Sequence, residues 1–497
     1  MENQQPNTSE FTLSGKTLGA GAHLAPELNR LPEVVKRVHF MGVCGTGMAS
    51  LAGLLKTRGY EVTGSDQHVY PPMSDLLKTL SIPLRDGYDA SHLHSPTPDL
   101  VIVGNVITRE NPEAVALGKA GIPYLSFPQG PRHFALEGRR SVVVSGTHGK
   151  TTTASLVAWI LQQAGEDPGF MIGGIPRNFR RNFRQGKGPF FVVEGDEYDT
   201  AFFDKGPKFV HYNPWAVIVS GIEFDHADIY RDLAHVVASF RKLLDLIPRG
   251  GMLIANGDDP VLRQELKRVR CPALTYGLGA RNDWTLRFSG YEKNMTHLEI
   301  LPPDGPPIPI ETPMYGEHNL SNLLSATALS HHLNIPRSRI QGALHSFMGV
   351  RRRLEVVGRK RGVWILDDFA HHPTAVRKTV QAVRERHPGR RLIVVFEPRS
   401  NSSRRNIFQS QYAGAFAGAD RVLVPRPPLM EKIPASQRFS SERLVKDLLD
   451  QGLSASYHPG TDELLESLIE IVGSGDLVLF MSNGGFDNLP RRLLERI

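Results

Sequence analysis

The sequence predicts three successive α/β domains, and three observations carry that prediction. The chain has 497 residues, about three times an ordinary domain length of roughly 150. From Arg37 onward, short apolar runs alternate with helical stretches; this is the βαβ pattern of a parallel sheet that takes ligands at the carboxyl ends of its strands. The pattern reopens twice, at Ser141 and near Arg353.

Residues 1–34 read as a polar N-terminal arm, disordered or loosely docked. An N-terminal domain follows over 35–138: a buried strand at 37–42, a glycine-rich turn, a helix at 48–59, and strands at 60–64 and 99–104. A central domain over 139–349 has strands at 141–144, 190–194 and 216–220. Looser alternation over 284–310, broken by Pro302-Pro303 and Pro306-Pro307, predicts antiparallel hairpins appended to its sheet, and 314–334 reads as a helix. The C-terminal domain, 350–497, alternates helices with strands at 363–366, 392–396, 421–424 and 477–481. There is no internal repeat of the roughly 20–50 residue period that marks solenoids.

Composition excludes several classes. The chain is 40% apolar and 22% charged, as globular proteins are. No run approaches the roughly 18 apolar residues of a membrane span, and the polar start lacks the apolar region of a secretion signal. Cys44 and Cys271 make neither a disulfide framework nor a zinc site by themselves; Cys44 is expected beneath its turn and Cys271 in a structural role. A reduced, cytoplasmic location is expected, with no membrane partner. Lys plus Arg is 58 against 51 acids, a charge of +7. The basic clusters, Arg177-Arg180-Arg181-Arg184, Arg351-Arg352-Arg353 and Arg404-Arg405, are dispersed without interleaved aromatics. The excess charge therefore reads as serving anionic small molecules or solubility, with no nucleic-acid partner.

The strongest motif is Val144-Ser145-Gly146-Thr147-His148-Gly149-Lys150-Thr151-Thr152, between a strand and a helix. Glycines let the backbone close on a phosphate, and the helix N-terminus offers free N–H groups and a positive dipole end. Lys150 is expected at the β/γ-phosphates and the Thr151 hydroxyl at Mg²⁺. The loop is a shortened P-loop, since Val144 stands where the strict pattern has glycine. The next strand ends in Glu194-Gly195-Asp196-Glu197-Tyr198-Asp199 and the one after in Glu223-Phe224-Asp225-His226-Ala227-Asp228. Carboxylates at strand ends beside a P-loop are placed for metal binding or water activation.

These segments, with Gly316-Glu317-His318-Asn319-Leu320-Ser321-Asn322 and Arg352-Arg353-Leu354-Glu355, together resemble the Mur ligases, in order over nearly the whole chain from residue 37. The resemblance implies a Rossmann-like N-terminal domain holding the UDP part of an acceptor, a P-loop ATP-binding central domain, and a Rossmann-like C-terminal domain closing over both. It implies ATP and Mg²⁺ as cofactors and UDP-N-acetylmuramate as acceptor, whose carboxylate takes the γ-phosphate to give an acyl phosphate and ADP; an amine then attacks the acyl carbon and displaces phosphate. Lys150, Glu194, His226 and Arg353 are the implied catalytic residues; Thr151 and Glu194 serve one metal and His226 a second. Gly146, Thr147, His148, Gly149, Thr151 and Thr152 hold phosphates, Asn319 and Asn322 the adenine, Asp368 the ribose, and Arg353 the γ-phosphate. Gly42, Gly45, Thr46, Gly47, Ser65, Asp66 and Asn105 fall to the UDP-sugar. Where some relatives carry a carbamylated lysine, Phe240 or Arg241 stands here.

Two branches compete. Met41-Gly42-Val43-Cys44-Gly45-Thr46-Gly47-Met48-Ala49 and Gly64-Ser65-Asp66 suit both the branch that adds L-alanine and the branch that attaches a recycled murein tripeptide, L-Ala-γ-D-Glu-meso-diaminopimelate. Val69-Tyr70-Pro71-Pro72-Met73-Ser74, Phe202-Phe203-Asp204-Lys205 with 208–212, Asp367-Asp368-Phe369-Ala370-His371-His372-Pro373-Thr374 and Glu397-Pro398-Arg399-Ser400-Asn401 look like the second. His371, His372, Arg399, Ser400 and Asn401 are then expected at the peptide, with Arg404 and Arg405 adding charge nearby. Adjacent histidines do not easily face one ion, so His371-His372 reads as a substrate loop rather than a metal pair. A monomer or weak dimer is expected. Readings of other classes are a dinucleotide oxidoreductase, disfavoured because Cys44 occupies the second glycine position of its fingerprint, and a non-catalytic UDP-sugar-binding protein, disfavoured by the intact Lys150, Glu194, His226 and Arg353.

Overall fold

The computed structural model of the chain describes residues 21–67, 69, 73–94 and 96–497. The first sheet holds β1 (Arg37–Met41), β2 (Glu61–Asp66), β3 (Leu84–Asp86), β4 (Leu100–Val103) and β5 (Tyr124–Ser126) in the order β3-β2-β1-β4-β5, all parallel. Strand order reverses between β1 and β4, so the loops after these two strands open the crevice where such sheets bind ligands. Val38, Phe40, Leu100 and Ile102 are buried on one face beneath the Thr46–Thr57 helix.

The central sheet contains β6 (Arg140–Ser145), β7 (Gly169–Met171), β8 (Phe183–Arg184), β9 (Phe190–Gly195), β10 (Pro214–Val219), β11 (Met252–Asn256) and β12 (Ala273–Tyr276), in the order β12-β11-β10-β6-β9-β7-β8. Val142, Val143 and Val144 are fully buried, as expected of a central parallel strand covered on both faces. Because β6 lies between β10 and β9, its loop is flanked by the two acidic strand ends. The hairpins β13 (Thr285–Glu292), β14 (Met295–Leu301) and β15 (Ile308–Thr312) form a three-stranded sheet of their own rather than extending the central one. Leu298, Ile300, Ile308 and Ile310, at alternate positions, turn one face of it onto the central core.

The third sheet runs β16-β17-β21-β18-β19-β20 from β16 (Glu355–Lys360), β17 (Val363–Asp368), β18 (Leu392–Phe396), β19 (Arg421–Pro425), β20 (Ser454–His458) and β21 (Leu477–Met481); only the edge strand β16 is antiparallel. Asp367, Asp368, Glu397 and Ser482 stand at its carboxyl end.

The polar arm divides. From residue 21 it is docked: the Ala22 amide donates to Arg109 O at 2.7 Å, and Asn29 Nδ2 donates to Tyr124 O and Gln129 Oε1. Residues 1–20 lie outside the described residues, as do Tyr70, Pro71 and Pro72 of the 69–74 motif. Among the described residues no helix is long and apolar enough to cross a membrane.

Candidate active site

The first glycine-rich loop is held from below. The Gly42 and Val43 amides donate to Ser65 O, and the Cys44 amide donates to Asp66 Oδ2 at 2.8 Å. This brings Gly42, Gly45, Thr46, Gly47, Ser65 and Asp66 together at the end of β1 and β2, with exposed Asn105 across the crevice after β4. Cys44 is half-buried; burial and the nearby Asp66 carboxylate push its thiol up to about 11, which makes it a poor nucleophile. Beneath lies a group that the sequence reading missed. Ser65 Oγ donates to the fully buried Glu113 at 2.6 Å, His92 binds the same carboxylate, and His39 Nε2 lies 3.6 Å from it. Burial works against ionised Glu113, but His39, Ser65 and His92 outweigh it and hold its carboxyl below the usual range. Four residues from four elements leave no local pattern, so no sequence signal could have found them.

The second loop follows β6. Gly149 has φ +81°, and a Cβ there would lie 2.4 Å from Asn322 Oδ1; at Gly146, φ +125°, it would lie 2.3 Å from Ser220 Oγ. Both positions therefore require glycine, by left-handed or extended positive φ and by close packing, and the loop backbone is held tightly at the head of the helix, where a phosphate would meet free N–H groups. Lys150 Nζ donates to Gly146 O at 2.8 Å and to Glu197 Oε2 at 3.0 Å, folded back over the loop. Thr151 Oγ1 donates to Glu194 Oε2 at 3.0 Å, and the Gly173 amide donates to the other oxygen of that carboxylate. Burial and the neighbouring Asp196 push the Glu194 carboxyl up, although Lys150 and Arg353 oppose this. A carboxylate short of positive charge beside a hydroxyl is a hard oxygen donor pair, and it fits Mg²⁺.

His226 stands at φ +53° after β10 with its Nε2 3.4 Å from Glu197 Oε1. Burial disfavours its charge, but Glu197 and Asp225 outweigh burial and raise its pKa. Asp196 is paired with Lys208 at 3.2 Å, and the Lys208 ammonium lies over the Tyr198 ring. Phe240 is buried, and Arg241 pairs with Glu265 at 2.7 Å. Neither reaches this cluster.

The third domain reaches across. Arg353 NH2 donates to Thr151 Oγ1 at 3.3 Å, with its guanidinium over the Phe369 ring. Asp368 is buried and accepts from the Leu354 and Ala370 amides, so it anchors the segment that carries Arg353. Asn319 and Asn322 are buried near the start of the Glu317–His332 helix. Asn319 borders a cavity of about 380 Å³ whose other walls include Thr152, Arg177, Tyr315, Phe347 and Arg353.

The remaining predicted residues divide. Asn401 Nδ2 donates to Asp228 Oδ2 at 2.8 Å, and Ser402 Oγ accepts from the Ala227 amide, so the 399–403 loop docks on the loop carrying His226. Arg399 is part-exposed and pairs with Glu397 at 3.3 Å; Ser400 Oγ is used within its own turn. His371 Nε2 faces Asp225 at 3.9 Å, whereas His372 is buried against His148 and Glu223. Arg404 is buried behind the loop, and its donors go to Asn401 Oδ1, Pro428 O and Leu429 O, so its charge lies nearby while its N–H groups are already used.

Comparison with known proteins finds one family along the chain. Residues 37–137 match the model "Mur ligase family, catalytic domain", 144–330 the "Mur ligase middle domain" and 352–484 the "Mur ligase, glutamate ligase domain". The chain is 41% identical over 461 residues to the UDP-N-acetylmuramate–L-alanyl-γ-D-glutamyl-meso-2,6-diaminoheptandioate ligase of Escherichia coli K12, covering 92% of this chain and 98% of that one. It is 32% identical to the UDP-N-acetylmuramate–L-alanine ligase of Desulforamulus reducens, covering 93% and 98%. A solved murein peptide ligase from Psychrobacter arcticus 273-4 superposes with a TM-score of 0.71 at 32% identity, covering 93% of this chain and 98% of that one. The UDP-N-acetylmuramate–alanine ligase of Thermotoga maritima superposes at 0.77 with 23% identity and the same coverage, a likeness of fold.

Proposed function

Because the chain belongs to the Mur ligase family, we propose that it joins L-Ala-γ-D-Glu-meso-diaminopimelate, a recycled murein tripeptide, to UDP-N-acetylmuramate at the expense of ATP. The observation that carries the ligase chemistry is the meeting of three strand ends with an arginine from the next domain: Lys150, Glu194 and His226 lie about the P-loop, and Arg353 reaches Thr151 at 3.3 Å. A carboxylate is a poor acyl donor because its leaving oxygen is too basic, and phosphorylation removes that obstacle. Lys150 leaves Glu197 to hold the β/γ-phosphates, and Arg353 takes up the charge of the transferring phosphoryl group. Thr151 and Glu194 would hold Mg²⁺, which supplies charge neutralisation at the phosphate oxygens. Glu197 keeps His226 oriented. The first loop holds the UDP part through backbone amides, and Asn319 and Asn322 border the adenine. A reaction fed by ATP and a UDP-sugar belongs in the cytoplasm.

Two things favour the tripeptide over L-alanine. Identity to the tripeptide ligase of Escherichia coli, 41%, exceeds the 32% to the L-alanine ligase of Desulforamulus reducens. In addition, the 399–403 loop presents a part-exposed arginine beside small polar side chains. The test is phosphate release with UDP-N-acetylmuramate and ATP, comparing free L-alanine with the tripeptide. Turnover with the tripeptide alone is expected. Equal turnover with L-alanine would transfer the assignment to the L-alanine branch, and no turnover with either would leave a UDP-sugar-binding protein.

A further inference from the structure

Three potential metal ligands meet where the central and C-terminal domains touch, apart from the oxygen pair Thr151 and Glu194. His148 comes from the P-loop, Glu223 from the segment after β10, and His372 from the N-cap of the Pro373–Arg386 helix. Their ligand atoms all lie within 4.8 Å of one another. Glu223 Oε2 is 3.6 Å from His148 Nε2 and 3.6 Å from His372 Nδ1. Those separations are too long for hydrogen bonds. They are close to the spacing of about 3.4 Å that bonds of 2.0–2.1 Å impose on neighbouring ligands of a tetrahedral ion. His148 Nε2 is itself buried and makes no hydrogen bond, so the Glu223 carboxylate at 3.6 Å is the contact it faces.

The surroundings orient the other two ligands. His372 Nε2 lies 3.2 Å from Phe224 O, which assigns the proton to that nitrogen and leaves the Nδ1 lone pair facing Glu223. The Thr374 amide caps against Nδ1 at a long 3.3 Å, a contact an ion would replace, and Thr374 Oγ1 donates to Glu223 Oε2 at 2.7 Å and fixes the carboxylate. Two imidazoles and one carboxylate with an open fourth position are a zinc-type donor set, unlike the all-oxygen shell that Mg²⁺ takes.

We infer that His148, Glu223 and His372 form a binding site for a zinc-type transition-metal ion that bridges the P-loop to the C-terminal domain. The ion fastens the third domain onto the phosphate loop. Neither the binding nor its site depends on which substrate the enzyme ligates.

The test uses the full chain without nucleotide and the metal alone, by competition of Zn²⁺ against a chromophoric chelator and by the visible spectrum of Co²⁺. One equivalent of Zn²⁺ is expected, with a four- or five-coordinate Co²⁺ band. His148→Ala, Glu223→Gln and His372→Ala are each expected to weaken binding at least tenfold and abolish the band, while His371→Ala leaves both intact. Millimolar Mg²⁺ should not displace the Zn²⁺. The three variants lie on three separate elements, and thermal unfolding in chelator identifies any that does not fold. Absence of stoichiometric binding, binding unaltered in the folded variants, or displacement by Mg²⁺ would each overturn the inference.

Discussion

Two loops of this molecule start alike and end differently. After β1 and after β6, a buried parallel strand turns through glycines into a helix N-terminus, the geometry that receives phosphates. Around the first loop the acids have their partners within the protein: Asp66 accepts from the Cys44 amide, and buried Glu113 is enclosed by His39, His92 and Ser65. Around the second, Glu194 is pushed up by burial and Asp196, Lys150 is folded back onto Glu197, and Arg353 arrives from another domain. A site that only holds a diphosphate can be electrostatically finished in advance. A site that transfers a phosphoryl group keeps charges whose balance is completed only when reactants arrive.

The largest effect expected from this contrast is at Lys150. Lys150→Ala should lower ligation by at least about 10²–10³-fold, while calorimetric affinity for UDP-N-acetylmuramate stays nearly unchanged. If acceptor affinity collapsed along with activity, the two loops would not be separable and the comparison would fail.

Next comes the third domain's contribution. Arg399→Ala should lower kcat/KM for the tripeptide by a factor equivalent to about 2–5 kcal/mol, the cost of losing a desolvated ion pair in the complex. ATP affinity should hardly move. Unchanged tripeptide kinetics would place Arg399 outside the pocket.

A complementary change probes the first loop. Glu113→Gln should weaken UDP-N-acetylmuramate binding by about 1–3 kcal/mol through loss of a buried charge-assisted hydrogen bond beneath Ser65. ADP binding at the second loop should be unaffected, which equilibrium dialysis with both nucleotides would check. A drop in ADP affinity would show that Glu113 acts on the whole chain rather than on its own loop.

How legible each region was in the sequence follows from the same contrast. The P-loop is contiguous: Gly146, Gly149, Lys150 and Thr151 lie within six residues, because one turn must supply backbone room, dipole and cation together. The strands of the three sheets that read as apolar runs, such as Val142 to Val144 and Leu392 to Phe396, are the ones buried on both faces. Several strands that escaped notice are short or polar edge strands: β3 has three residues, β8 two, and β20 reads Ser454-Ala455-Ser456-Tyr457-His458; β11, Met252 to Asn256, also escaped although it is apolar and buried. At an edge, one side of the strand has no neighbour to demand apolar contacts. The Glu113 network was illegible because its members come from distant segments. The burial of Arg404 was illegible too, because a basic dipeptide looks the same whether it faces solvent or caps carbonyls of its own fold.

The smallest effect expected concerns the third sheet, where the strand-end carboxylate Asp367 lies 3.2 Å from Arg352 Nε. Burial pushes the Asp367 pKa up to about 6, although Arg352 opposes the shift, and the neighbouring Asp368 and Glu355 add to it. An acid whose folded-state pKa is raised binds its proton more tightly in the folded chain. Its contribution to stability is therefore fully present below the unfolded value near 3.8 and is lost as pH rises through about 6. Between pH 5 and 7 the loss amounts to about 1 kcal/mol. Urea unfolding of wild type and Asp367→Asn at those two pH values should show a decline in the wild type that the variant lacks in that amount. An identical pH slope in the two proteins would mean that Arg352 already balances Asp367. The third sheet would then resemble the finished first loop rather than the unbalanced second, and the contrast between a holding site and a reacting site would stop at the central domain.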